Sequence, residues 1–117
     1  MSIKKPVEKR ASGAYPVFIS TWEELTKDDV GIPTDVCGAR ERTVQIEGDL
    51  AGCTVVIEGS NDDVNFRPLT NMDGIILCIR TPELTSVREF VKSIRPRIQD
   101  GDINTKVTVS LLIAAGR

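Results

Sequence analysis

The sequence predicts a mainly β protein: one antiparallel β-sandwich or jelly-roll-like domain of about seven or eight strands, with an extended N-terminal arm. Three observations support this prediction. The length of 117 residues suits a single domain. Aromatic residues form only 4% of the chain, so Val, Ile and Leu must build the core, and the β-branched ones favour strands. Short apolar runs alternate with turn residues throughout most of the sequence.

The N-terminal segment, residues 1–14, is polar and lacks periodicity, which predicts an extended arm; residues 15–117 then form the single β domain. The N-terminal segment carries a net positive charge, whereas the whole chain has a net charge of −2. The basic residues of the arm are Lys4, Lys5, Lys9 and Arg10. A basic arm on an acidic body indicates docking on an acidic neighbour or on nucleic acid. The overall negative charge argues against bulk nucleic-acid binding, and no direct contact with nucleic acid is expected.

Two short elements are predicted after the arm. The apolar run YPVFIS at residues 15–20 is typical of a first strand. Residues 21–29 predict one helical turn, because Thr21 can cap it and Trp22 and Leu25 would share one helical face.

Strand and turn patterns alternate in the rest of the chain. Strands are predicted at residues 42–47, 53–58, 66–70, 75–80, 87–94, 95–99 and 105–113. A hairpin loop is predicted at 48–52, and further loops at 59–65, 71–74, 81–86 and 100–104. The residues predicted to point inward are Val44, Ile46, Val55, Ile57, Val107, Val109, Leu111 and Ile113.

Three of these predicted strands have features of their own. Pro68 restricts residues 66–70 to an edge or a bulge. The continuous apolar run at 75–80 predicts a strand that is covered on both faces. Residues 87–94 fit a helical stripe as well as a strand; the strand is favoured because Pro96 follows closely and the surroundings are β.

One side chain that is common in catalytic sites is missing from the sequence. The chain has no His, which removes the commonest general base and most transition-metal sites. No glycine-rich phosphate-binding motif occurs. We therefore predict no catalytic, cofactor or metal site, and no enzymatic activity. Weak calcium binding by the acidic turn at 61–65 is an alternative, although the turn lacks the ligand pattern of an EF-hand.

The three cysteines are Cys37, Cys53 and Cys78. Their wide spacing and odd number favour core packing, in particular for Cys53 and Cys78, over redox or metal chemistry. No apolar stretch reaches the length of a membrane span, and no secretory signal is recognisable, so synthesis in a reducing cytoplasm is expected.

Several motifs together resemble a group of small structural proteins of tailed bacteriophages, those that decorate or cement capsids. The motifs are RTVQIEG at 42–48, TVVIEGSND at 54–62, FRPL at 66–69, IRPRI at 94–98, Gly101-Asp102 and the alternating strand 107–113. The resemblance covers roughly residues 40–113 and implies a compact β domain with an extended terminal arm.

The resemblance implies a structural virion protein that binds the outer capsid shell at subunit junctions and stabilises it. The expected partner is the lattice of the major capsid protein, and the expected state is a homo-oligomer, a dimer or trimer, on the capsid surface, with no membrane involved. Alternatives are another virion location (a head–tail connector, tail tube or baseplate) and a carbohydrate-binding β-sandwich module.

Partner-binding residues are predicted in the basic arm, in the first strand and in the basic segment near Pro96, where arginines can pair with carboxylates. They are Lys4, Lys5, Lys9, Arg10, Tyr15, Phe18, Arg95 and Arg97. For Arg95 and Arg97 the alternative is ordinary outward charge that protects a sheet edge.

Overall fold

The computed structural model describes residues 3–4, 6–11, 17–37 and 39–115. These residues form β-strands and no helix, which confirms the mainly β prediction, but the strands number twelve rather than the predicted seven or eight because several are two-residue pairings. The strands are arranged in two sheets in which nearly all pairings are antiparallel; β1, the first strand, pairs in parallel. The finer jelly-roll-like arrangement stays a prediction.

Sheet A contains the strands β1 (Ile3–Lys4), β4 (Val30–Gly31), β5 (Thr34–Asp35), β7 (Cys53–Ser60), β8 (Arg67–Pro68), β9 (Cys78–Ile79) and β11 (Ser93–Asp100). Its order is β1–β4–β11–β7–β8, with β5 also on β11 and β9 also on β7. Sheet B contains β2 (Val7–Ala11), β3 (Val17–Leu25), β6 (Ala39–Asp49), β10 (Glu83–Ser86) and β12 (Lys106–Ala115). Its order is β10–β6–β12–β3–β2.

The core lies between the two sheets, because successive residues of a strand point to opposite faces and the apolar ones point inward. A single cluster of buried residues joins side chains of both sheets, including Val55 and Ile57 of sheet A and Val109 and Leu111 of sheet B. The inward positions predicted on β6, β7 and β12 are confirmed, although Ile113 is only partly buried.

Residues 21–25 belong to β3, so the predicted helical turn is wrong. Trp22 and Leu25 are both fully buried, although a regular strand would place residues three apart on opposite faces. Two residues of β3, Glu23 and Glu24, lie opposite the single Thr108 of β12, and Glu24 has a φ of 53°. This β-bulge adds one residue and returns Leu25 to the inner face.

The predicted hairpin at 48–52 is a crossing between sheets. It joins β6 of sheet B to β7 of sheet A, which are not paired with each other. Leu50 is buried at the crossing, and Ala51 and Gly52 take positive φ values of 42° and 79°. Alternation alone could not distinguish this connection from a hairpin, because both join two strands of inward-facing apolar residues through a short turn.

The segment 81–94 also differs from its prediction. The predicted loop 81–86 contains β10, and the predicted strand 87–94 is irregular until β11 begins at Ser93. Residues 87–92 form a further crossing from sheet B to sheet A, and their amides donate to different elements: Val87 N to Arg42 O and Lys92 N to Ser60 O. Of the apolar stripe, Val87 and Ile94 are buried and Val91 is partly buried, whereas Phe90 is exposed.

The run 75–80 is covered on one face only. Leu77 and Ile79 are buried, whereas Ile75 and Ile76 are exposed, so the prediction of two covered faces is wrong. Pro68 does lie on an edge strand, β8, as predicted. Cys53 is in the core, but Cys78 and Cys37 are exposed, so the packing prediction is correct only for Cys53.

The described part of the predicted arm is extended, but it is paired with the body. β1 lies beside β4 in sheet A, and β2 pairs with β3 along its whole length in sheet B. The N-terminal segment therefore contributes an edge strand to each sheet.

Candidate partner-binding surface

Exposed apolar side chains are concentrated in one part of the sequence. Ten large apolar residues are exposed among the described residues, and five of them lie between positions 72 and 90. They are Met72, Ile75, Ile76, Leu84 and Phe90. We call the part of the surface formed by residues 72–90 the 72–90 surface. Contiguous exposed apolar patches mark sites of protein–protein contact, whereas single exposed apolar residues do not, and two of these five residues, Met72 and Phe90, line one cleft.

Side-chain hydrogen bonds fix the loop that carries Met72 and Ile75. Asn71 Oδ1 accepts from the amides of Asp73 and Ile75 at 2.9 and 3.0 Å, which closes the turn. The amide of Met72 donates to Ser86 Oγ at 3.1 Å, which ties the loop to β10. The apolar side chains are therefore presented on an ordered scaffold.

Glu89 joins the same loop to the crossing segment. Its carboxylate accepts from both the amide and the hydroxyl of Thr70. Burial opposes ionisation of Glu89, but the bonds from Thr70 outweigh it, so the pKa of this carboxyl lies below its usual value.

A cleft of about 340 Å³ lies beside these residues. It is lined by Arg40, Glu41, Arg42, Thr43, Met72, Ser86, Val87, Arg88 and Phe90. We call it the Arg42 cleft. Arg42 reaches it from the inward face of β6, because it precedes the buried Val44 and Ile46 in the same alternation.

Arg42 is a buried cation, with 5% of its surface exposed. Nη1 donates to Ala39 O at 2.6 Å and Nη2 to Arg88 O at 3.1 Å. Its guanidinium lies 4.5 Å from the centre of the Phe90 ring, within cation–π range. Desolvation by burial lowers the pKa of this guanidinium, and the charge of Glu89 opposes that shift.

The Nε–H of Arg42 has no hydrogen-bond partner among the described residues. No carboxylate of the described chain forms an ion pair with this guanidinium either. A buried donor without a partner is energetically costly, so this group has spare capacity to bind an acceptor.

A second cleft, of about 230 Å³, lies beside β3 and β5. It is lined by Glu8, Phe18, Ser20, Thr34, Asp35, Cys37, Ala39 and Ile113. Thr34 Oγ1 is buried there and has no partner among the described residues. The combination of a partly exposed aromatic ring, two carboxylates and two hydroxyls suits a polar ligand with a flat apolar face.

Arg95 and Arg97, two of the predicted partner-binding residues, form a structural ion pair network. Their Nε atoms donate to Glu58 Oε1 and Oε2, each at 3.1 Å, and Glu58 is buried. The guanidinium of Arg95 also lies 3.8 Å from the centre of the Phe66 ring. The single carboxylate of Glu58 thus compensates one of the two positive charges within the domain.

The other predicted residues are dispersed. Lys4 Nζ lies 3.9 Å from the buried carboxylate of Asp29, and Phe18 lines the second cleft. Lys5 and Tyr15 lie outside the described residues, as do the side chains of Lys9 and Arg10. Their roles in partner binding stay predictions.

The acidic turn at 61–65 binds its own chain. Asp62 accepts from the amides of Val64 and Asn65 and from the hydroxyl of Ser60. Asp63 binds Lys92 and Ser93. Within the described ranges, no group of three or more potential ligands is arranged to hold a metal ion. The part of the chain that is described also contains no helix able to cross a membrane.

The sequence prediction missed Arg42 and Phe90. One signal was available: Arg42 lies in phase with Val44 and Ile46, so alternation alone places its side chain on the inward face. Phe90 had no comparable signal, because its exposure follows from the irregular crossing segment.

This chain is similar to known proteins in its fold but not in its sequence. No protein-family model matches the chain, and no curated protein sequence does so. The capsular polysaccharide assembling protein CapF from Staphylococcus aureus gives a TM-score of only 0.36 at 10% identity, over 92% of this chain and 26% of that one. That likeness is too low to support any conclusion.

The SPBc2 prophage-derived protein YomS gives a TM-score of 0.66 at 14% identity. The match covers 90% of this chain and 100% of that chain. The chain therefore shares its fold, over nearly its whole length, with a protein of prophage origin.

Proposed function

We propose that the protein is a structural, phage-associated component that binds another virion protein through the 72–90 surface. In the finer form of the proposal, it decorates the outer capsid shell at subunit junctions and stabilises it. The main support is the concentration of exposed apolar side chains at positions 72–90 on a loop and crossing segment held by hydrogen bonds.

The architecture is compatible with a binding role. The apolar side chains project from segments anchored to both sheets, so binding would require little ordering of the chain. Repetition of one such contact over a shell adds the interaction at every copy. The fold shared with a prophage-derived protein adds support for the phage association.

The test measures occupancy of purified phage heads by the tagged protein and by two matched double variants. Leu84→Ser with Phe90→Ser removes two exposed apolar side chains of the 72–90 surface. Val64→Ser with Ile103→Ser removes two that are 77% and 99% exposed elsewhere. We expect the first variant to lose at least about tenfold in occupancy and the second to bind normally, since central apolar anchors dominate interfaces.

Electron microscopy of particles carrying the labelled protein separates the virion locations. Label over the whole head surface supports decoration, whereas label only at one vertex or along the tail supports a connector or tail protein. Equal occupancy by both double variants would exclude the 72–90 surface as the contact.

A second candidate function, glycan binding, is favoured by the second cleft, where Phe18 lies beside Ser20, Thr34 and two carboxylates. Glycan binding by the isolated protein that Phe18→Ala abolishes would favour this candidate over the first.

A further inference from the structure

The Arg42 cleft is a positively charged site on an acidic protein. Three arginines and one glutamate line it, Arg40, Arg42 and Arg88 against Glu41, which gives a local balance of +2. The whole chain has a net charge of −2. Glu89, a further acid whose charge acts on Arg42, has both carboxylate oxygens bound to Thr70. The cleft therefore favours an anionic group.

Arg42, which lines the cleft, has a donor that can bind a hydrogen-bond acceptor. Arg42 already donates through both terminal nitrogens to main-chain carbonyls, whereas its buried Nε has no partner within the described chain. A carboxylate oxygen that reached this donor would satisfy it and also compensate a buried positive charge.

Part of the lining of the cleft is apolar. Met72, Val87 and Phe90 line it beside the arginines. Phe90 covers the guanidinium of Arg42 but is itself 72% exposed, so few neighbours hold its ring in place. A ligand can displace the Phe90 ring and place its charged group above Arg42. The apolar part of the same ligand can then pack on the displaced ring.

We propose that the Arg42 cleft binds a carboxylate side chain of the protein partner, an Asp or Glu that is flanked by apolar residues. This inference rests on the proposed function, because it names the chemistry by which the partner is recognised. The exposed apolar residues supply contact area, and the arginines select for the acidic residue.

The test is an NMR titration of the ¹⁵N-labelled full chain, following the Nε–Hε signals of the arginines. The probes are the peptide acetyl-Leu-Glu-Leu-amide, its neutral counterpart with Gln in place of Glu, and inorganic phosphate. We expect the acidic peptide to shift the Arg42 signal saturably and the neutral peptide to leave it unchanged. Arg88→Gln should weaken this binding about tenfold, since it removes one charged partner.

Arg67→Gln is the matched control, because Arg67 is an exposed arginine on β8 outside the cleft. Both variants alter exposed side chains, so the test does not depend on whether substitution of the buried Arg42 is tolerated. The proposal is overturned if neither peptide shifts the Arg42 signal, if both shift it equally, or if phosphate binds there more tightly than the acidic peptide. It is also overturned if Arg67→Gln weakens binding as much as Arg88→Gln.

Binding of the unaltered protein to phage heads distinguishes a failure of the carboxylate site from a failure of the proposed function. Binding to heads without any shift of Arg42 removes only the carboxylate site. A shift of Arg42 without binding to any virion component removes the proposed function and leaves the carboxylate site standing.

Discussion

Replacement of Glu58 by Gln tests whether Arg95 and Arg97 act as internal supports of the domain. Glu58 is 5% exposed, and each of its carboxylate oxygens accepts from one arginine Nε at 3.1 Å. Gln preserves the shape of the side chain but removes the charge. Two arginines then lie against a neutral amide at a buried position.

The expected loss follows from the two bonds and their exposure. A hydrogen bond that involves a charged group contributes about 1.5–3 kcal/mol. The side chains of Arg95 and Arg97 are 25% and 33% exposed to solvent, so water compensates part of the loss. We therefore expect Glu58→Gln to lower the free energy of unfolding by about 2 kcal/mol, from the lower bound for two bonds and a discount for solvent.

Urea unfolding monitored by tryptophan fluorescence measures this loss. Trp22 is the only tryptophan and is completely buried, so its emission reports the global transition. At a urea dependence of roughly 1–3 kcal/mol per molar, the midpoint should fall by about 1 M. Glu83→Gln, at an exposed position of β10, should change stability by less than about 0.5 kcal/mol.

The prediction is refuted if Glu58→Gln unfolds at the same urea concentration as the unaltered protein. In that case Arg95 and Arg97 would be supported by solvent rather than by Glu58, and they would again be available to an acidic partner, as their sequence suggested.

The remaining predictions concern a close contact and an acidic turn. A Cβ at Gly31 would lie 2.6 Å from Trp22 Nε1, so Gly31→Ala should lower the free energy of unfolding by about 3 kcal/mol in the same urea assay. Gly52 lies in open space but has a φ of 79°, so Gly52→Ala should lower it by about 1 kcal/mol. The bonds from Asn65 and Val64, then from Ser60, hold the pKa of Asp62 below its usual value. Because that pKa is depressed, the stabilisation is complete above the unfolded carboxyl pKa of about 3.9 and is lost as the pH falls below it. The melting temperature of Asp62→Ala should therefore lie below that of the unaltered protein near neutral pH, and the gap should shrink in acid; a gap independent of pH would contradict this.

The sequence predicted the strands whose alternation is regular. Val44 and Ile46, like Val107 and Val109, alternate with polar residues and are buried as expected, because a period of two identifies a half-covered strand. The second half of β3 escaped prediction, since a β-bulge imitates the spacing of a helical face.

Connections between the sheets were harder to predict than strands. The turn at 48–52 has the residues of a hairpin, yet which sheet each flanking strand joins depends on partners far away in the sequence. The same non-local pairing decided the N-terminal segment, where polar composition indicated an arm and β2 nevertheless lies along β3.

The candidate site was predictable only in part. The alternation of inward and outward residues along β6 places Arg42 on the inward face, but no pattern in the sequence brings Arg42 beneath Phe90. That contact depends on the irregular crossing at 87–92, whose course is set by isolated bonds from Val87 and Lys92 to residues of β6 and β7. Local propensity carries no information about such bonds.

The position of β12 has a consequence for synthesis of the protein. β12 follows every other described strand along the sequence, yet it lies in the middle of sheet B, between β6 and β3. Until the ribosome has delivered it, two long strands lack their main partner and expose unpaired edges. Sheet B must therefore close late, through contacts distant in sequence, which predicts slow folding and a need for protection of the nascent chain against aggregation.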